Sequence, residues 1–114
     1  MSNRRLLGRL AEDEAAEYLL SKGFTIVTRR CKLRSGEIDI VALDEDVLVF
    51  VEVKMRRAKT HRPEEAIGVF KLQALERAAE EYIRAMGETE RETRFDLVAI
   101  DGEGLRHYRD VFRA

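Results

Sequence analysis

Asp39, Glu52 and Lys54 stand inside "GEIDIVALDEDVLVFVEVK" (36–54), two runs of β-branched and apolar residues separated by "DED". Ionised groups are costly to bury unpaired, so three charges within runs of buried-strand composition demand a compensating partner. Side-chain alternation along the later run places Val47, Val49, Val51 and Val53 on one face and Leu48, Phe50, Glu52 and Lys54 on the other. Glu52 and Lys54 are therefore neighbours. An even hairpin loop, either Glu45-Asp46 or Asp44 to Val47, pairs Asp39 with Glu52 and Glu37 with Lys54, whereas an odd loop sends Asp39 and Glu52 to opposite faces. Carboxylates facing each other across a sheet repel, and a divalent cation converts that repulsion into binding energy. Mg²⁺ or Mn²⁺ suits such a site, because Mg²⁺ takes one or two protein carboxylates and leaves positions for water and phosphate. Lys54 could then hold a nucleophilic water or stabilise charge at phosphorus. The competing reading has Asp39 and Glu52 in salt bridges to Lys54 and Arg56 at the edge of an exposed sheet.

The elements that must position these groups are legible on either side. A helix is predicted from about Asn3 to Lys22, stopped by Gly23. Gly8, Ala15, Ala16 and Leu19 lie at i−4, i+3, i+4 and i+7 from Glu12, which places Glu12 within the small and apolar face. An inward acid on this helix is a further carboxylate for the same pocket. "FTIVTRR" is a first strand, "CKLRSG" a loop, "EIDIVAL" a second strand and "VLVFVEVKM" a third, central one. A long helix is expected from about Pro63 to Met86, stopped by Gly87, with Ala74, Leu75, Ala78, Tyr82 and Ile83 as its core stripe and Lys71 at the stripe's edge. "RFDLVAI" reads as a fourth strand, "DGEG" as a turn and "LRHY" as a short fifth strand. Asp96, opening the fourth strand, is expected to be structural, and Glu37 structural or substrate-orienting.

Composition narrows the classes. The 114 residues are one domain's worth of chain, and 45% hydrophobic with 38% charged residues suits a soluble globular protein with a densely charged surface. No apolar run approaches the ~20 residues of a membrane span, and the N-terminus lacks signal-peptide character, so a cytoplasmic protein is expected. The single Cys31 forms no internal disulfide, and with the distant His61 and His107 it offers no zinc-ligand spacing. The net charge is only −1, yet "RRCKLR" (29–34) and "KMRRAKTHR" (54–62) hold nine of the 21 basic residues and flank the acidic strands. Arg56, Arg57, Lys59 and Arg62 are candidates for gripping a phosphate backbone; solvated loops are the plain alternative.

The order "GEID … FVEVK" resembles the D … E-x-K core of the PD-(D/E)XK nuclease superfamily, with its restriction-endonuclease-like fold. More closely, the chain resembles the YraN family of small bacterial proteins, which are predicted endonucleases. The likeness runs through Gly8, Glu12, Ala15 and Leu19, then Gly23, "GEID", "FVEVK" with Arg56, Lys71 and Arg94-Phe95-Asp96. It implies a single nuclease-like domain over 1–114: a mixed sheet of about five strands flanked by helices, in the order α-β-β-β-α-β-β. It also implies Mg²⁺- or Mn²⁺-dependent phosphodiester cleavage, with Asp39 and Glu52 as metal ligands, Lys54 as the catalytic lysine, Glu12 as an additional acid, and Lys71 reaching the active site. The expected partner is nucleic acid, DNA in preference to RNA, and a homodimer is compatible with so small a chain. Two other readings stand beside this one: a nucleic-acid-binding module of a DNA-processing assembly without turnover, and a protein-interaction domain whose carboxylates only make salt bridges.

Overall fold

A computed structural model describes residues 3–55 and 69–111, with side chains described for 7–55 and 71–111. Helix α1 (Asn3–Ser21) leads into β1 (Thr25–Leu33), β2 (Gly36–Asp44) and β3 (Val47–Met55); α2 (Val69–Met86) follows, then β4 (Thr93–Asp101) and β5 (Gly104–Tyr108). This is the expected order of elements. The five strands form one sheet in sequence order, antiparallel throughout except that β3 and β4 run parallel. A parallel neighbour requires a crossover, and α2 supplies it.

The alternation of β3 divides the core between the two faces of the sheet. On one, Ala15, Ala16 and Leu19 of α1 pack with Ile40, Ala42, Val49, Val51 and Val98. On the other, Ala78, Ala79 and Tyr82 of α2 pack with Ile38, Val41, Leu48 and Phe50. Each fully buried valine, leucine or isoleucine side chain contributes about 1.5–3 kcal/mol, so β3, covered on both faces, is the hydrophobic axis of the fold. Both helices end as their glycines require. Gly23 (φ +92°) and Gly87 (φ +67°) take left-handed backbone, and the amides of Phe24 and Glu88 return to the carbonyls of Leu19 and Ile83, at 3.0 and 2.9 Å.

The β2–β3 hairpin closes on the two-residue loop Glu45-Asp46, with Asp44 opposite Val47, so the even register holds. Two details differ from expectation. "CKL" is not loop: Cys31, Lys32 and Leu33 continue β1, paired with Ile38, Glu37 and Gly36, and only Arg34-Ser35 turn. That turn is tied to α2 by Glu81, whose carboxylate accepts from the amides of Arg34 and Ser35 (both 3.1 Å) and from the Ser35 hydroxyl (2.6 Å). Nor do the expected cross-strand pairs Asp39–Glu52 and Glu37–Lys54 form, because the β2–β3 ladder stops at Ile40–Val51 and leaves Glu37 paired with Lys32 of β1. The expected helical turn from Pro63 to Gly68 lies outside the described residues. Among those described, no helix is long and apolar enough to cross a membrane.

Candidate active site

The end of the β2–β3 ladder is where the acidic groups collect. Beyond Ile40–Val51 the next amide of β3 facing β2, that of Val53, donates to Asp39 Oδ2 at 2.8 Å instead of to a backbone carbonyl. A carboxylate thus completes the hydrogen bonding where the two strands fork. The side-chain alternation of β2 breaks at the same place: Ile38 packs on the α2 side, Ile40 on the α1 side, and Asp39 lines a cleft with Gly8, Ala11 and Glu12 of α1. β1 departs from regularity opposite this break. Its ladder pairs Arg29 with Ile40 and Cys31 with Ile38 but skips Arg30 and Asp39, and Arg30 has a left-handed backbone (φ +49°).

Glu52, on β3, is 3% exposed. Its Oε2 faces two ammonium groups, Lys71 Nζ at 3.5 Å and Lys54 Nζ at 3.9 Å, while its Oε1 is buried without a hydrogen-bond partner among the described residues. Burial raises its pKa most, the Asp39 carboxylate adds repulsion and a shared hydrogen bond, and the two lysines only partly offset them; the result is a pKa of about 8. The two acids therefore adjoin one another. Glu12, buried on α1, has a pKa raised by burial and then by Asp39, against lowering by Arg30 and Arg29. Its Oε1 lies 3.4 Å from Arg30 Nε and 3.6 Å from an Arg29 terminal nitrogen, both long for hydrogen bonds.

The structure brings together Glu12, Asp39, Glu52, Lys54 and Lys71, each placed by a different constraint. Asp39 is fixed by the Val53 amide and Glu52 by β3 alternation; Lys54 stands one pleat on, and Glu12 and Lys71 come from helices on opposite faces. Arg56, Arg57, Lys59, Arg62 and His61 lie outside the described residues. Among those described, no group of three or more acidic, histidine or cysteine side chains is placed to hold a metal ion. Two adjoining carboxylates, one with a bare buried oxygen, nevertheless match the donor set of a hydrated Mg²⁺ or Mn²⁺, which seldom occupies an all-protein cage. Of the salt-bridge alternative, the Glu52–Lys54 contact is present, at a distance longer than a direct hydrogen bond.

Asp96 belongs to a different assembly. It is fully buried and accepts from Arg94 (2.8 and 3.0 Å) and the Asp110 amide (3.0 Å), with His107 Nε2 at 2.8 Å. The His107 ring is in turn set edge-on to Tyr18 and Phe24. Sequence reasoning did not anticipate this link, nor Arg29 and Arg30 at Glu12. No hydrophobic pattern signals the latter, which accompanies left-handed backbone at Arg30.

Fold and site together define a small α/β protein that gathers carboxylates and lysines at the fork of a mixed sheet. The chain belongs to the uncharacterised protein family UPF0102, the YraN family, whose model matches residues 11–100. It is 42% identical to a UPF0102 protein of Symbiobacterium thermophilum, over 85% of this chain and 83% of that one. It is 40% identical to one from Pelotomaculum thermopropionicum (96% and 97%) and 44% identical to one from an Arthrobacter species (97% and 99%).

Proposed function

We propose that this protein is a metal-dependent phosphodiesterase that cleaves nucleic acid, DNA in preference to RNA. The observation that carries the reading is the pair Asp39–Glu52 at a strand fork, with one buried carboxylate oxygen of Glu52 lacking a partner among the described residues and two lysines on the other. Asp39 and Glu52 would hold Mg²⁺ or Mn²⁺; when bound, the ion supplies Lewis acidity and lowers the pKa of a coordinated water. Lys54 is set to orient the attacking water and offset charge developing on phosphorus, and Lys71 to do the same from the α2 side. Glu12, whose pKa is raised within this pocket, is a third acid able to hold or pass a proton near Asp39. Arg56, Arg57, Lys59 and Arg62 would grip the strand by its phosphates.

The test is cleavage of single-stranded, duplex, flapped and four-way-junction DNA, and of RNA, with Mg²⁺ or Mn²⁺. Wild-type turnover lost in Glu52→Gln and in Lys54→Ala is the expected result. Wild-type activity no higher than that of Glu52→Gln on every substrate rejects the hydrolase, and retained binding in that case favours the nucleic-acid-binding module.

A further inference from the structure

Beside the carboxylate pair, on the α1 side, lies an open cleft of about 480 Å³ bordered by Arg9 of α1, Arg30 and Lys32 of β1, and the acids Glu12, Glu37 and Asp39. We infer that this cleft is a second phosphate subsite, in which Arg30, together with Arg9 and Lys32, takes a backbone phosphate of the nucleic-acid strand away from the reacting one. The inference rests on the nucleic-acid reading above and adds to it the residues and the side of approach.

The first support is electrostatic. Three carboxylates, Glu12, Glu37 and Asp39, line the cleft and would repel a polyanion there; Arg9, Arg30 and Lys32, lining the same cleft, are the cations that offset them. Strand geometry is the second. Because β1 continues through Leu33, Arg30 and Lys32 project as alternate residues of an edge strand into the cleft, where a loop would have left them unaligned. The third is backbone strain. Arg30 has φ +49°, a region non-glycine residues seldom occupy, and it does so opposite Asp39, where the ladder is interrupted. Strain of this kind points to a functional constraint. Its Nε lies 3.4 Å from Glu12 Oε1, a contact too long for a firm hydrogen bond, so the guanidinium is not committed to that carboxylate and can turn its N–H groups to a phosphate oxygen. The volume falls within the roughly 300–1,000 Å³ of ordinary ligand sites.

Fluorescence anisotropy with a labelled 20-base-pair duplex, in Ca²⁺ across a salt series, tests the subsite by binding alone. Two variants are used, R9Q/K32Q and R30N; asparagine tolerates left-handed backbone, so R30N removes the guanidinium while sparing the strand. Each lost phosphate contact should reduce the slope of log affinity against log salt by about 0.9, hence by about 1.8 for the double variant. Melting temperatures establish that both variants are folded. Folded variants with wild-type affinity and slope overturn the subsite and leave the hydrolase reading standing. Reduced slopes alongside a wild type that cleaves nothing in Mn²⁺ uphold the subsite and overturn the hydrolase. A wild type that binds neither duplex nor single strand overturns both.

Discussion

Glu52 is the residue on which the proposed chemistry turns, and its proton is measurable without any substrate. With its pKa lifted to about 8 by burial and by Asp39, it stays protonated in the folded, metal-free protein over a range where the unfolded chain has released the proton. An acid raised on folding contributes stability that is complete below its unfolded pKa and is lost as pH rises through the folded value. Between about pH 4.5 and 8 this group alone should cost wild type roughly 1.4 kcal/mol per pH unit, a slope absent from Glu52→Gln. Urea melts in chelator at pH 6, 7 and 8 should therefore show Glu52→Gln gaining on wild type as pH rises; parallel curves would mean the glutamate is not held neutral. Asp39→Asn removes the neighbouring charge and should move the wild-type slope to lower pH in the same melts.

At the scale of elements, the fork between β2 and β3 depends on one side-chain acceptor. Asp39 Oδ2 takes the Val53 amide where the ladder ends. Asparagine can still accept that bond, but alanine cannot, and leaving a part-buried donor unmet costs about 1–3 kcal/mol. The expected order of stability at neutral pH is thus Asp39→Asn well above Asp39→Ala, and slow hydrogen exchange at the Val53 amide should persist only in the former. Glu81 performs the corresponding task at the β1–β2 turn, holding the Arg34 and Ser35 amides from α2. Its hydrogen bonds from Ser35 and Arg34 lower its pKa, with the Ser35 hydroxyl the largest influence.

Much of this element-level order was legible in the residues. The alternation of Val47 to Lys54 fixed which side chains share a face, "DED" allowed an even loop, and Gly23 and Gly87 marked helix ends where left-handed backbone is found. "CKL" reads as loop because its charge masks a period of two continued from the strand before it: Cys31 and Leu33 pack towards the α2 core, while Arg30 and Lys32 face the cleft. Lysine and arginine are what an edge strand carries to resist pairing with another chain, so here charge and strand were compatible signals. The Arg30–Glu12 approach was hidden for another reason. It needs a left-handed residue within a strand, which no hydrophobic pattern encodes.

For the whole molecule, a buried polar link other than the carboxylate pair joins β4 to β5. Asp96 ties Arg94 of its own strand to His107 of β5 and to the Asp110 amide in the turn beyond, and His107 lies against Tyr18 of α1 and Phe24. Its partners are up to 14 residues distant in sequence, so a lone aspartate at a strand's start gave no hint of them. Burial acts to raise the Asp96 pKa, but the hydrogen bonds from His107, Arg94 and the Asp110 amide overcome it and hold the carboxyl below its ordinary range. A depressed acid contributes stability that is present above the unfolded pKa and is lost as pH falls through the folded one. Removing one partner of a buried charged network costs about 3–5 kcal/mol, a large part of the roughly 5–15 kcal/mol that holds a domain together. Asp96→Asn should therefore lower the melting temperature by more than about 10 °C at pH 7, with the gap from wild type narrowing as both are acidified below pH 4. Because the link is separate from Asp39 and Glu52, whatever fraction of the variant remains folded at low temperature should bind Mn²⁺ with wild-type affinity. An Asp96→Asn protein that is fully folded yet unable to bind the ion would move Asp96 from the framework into the site.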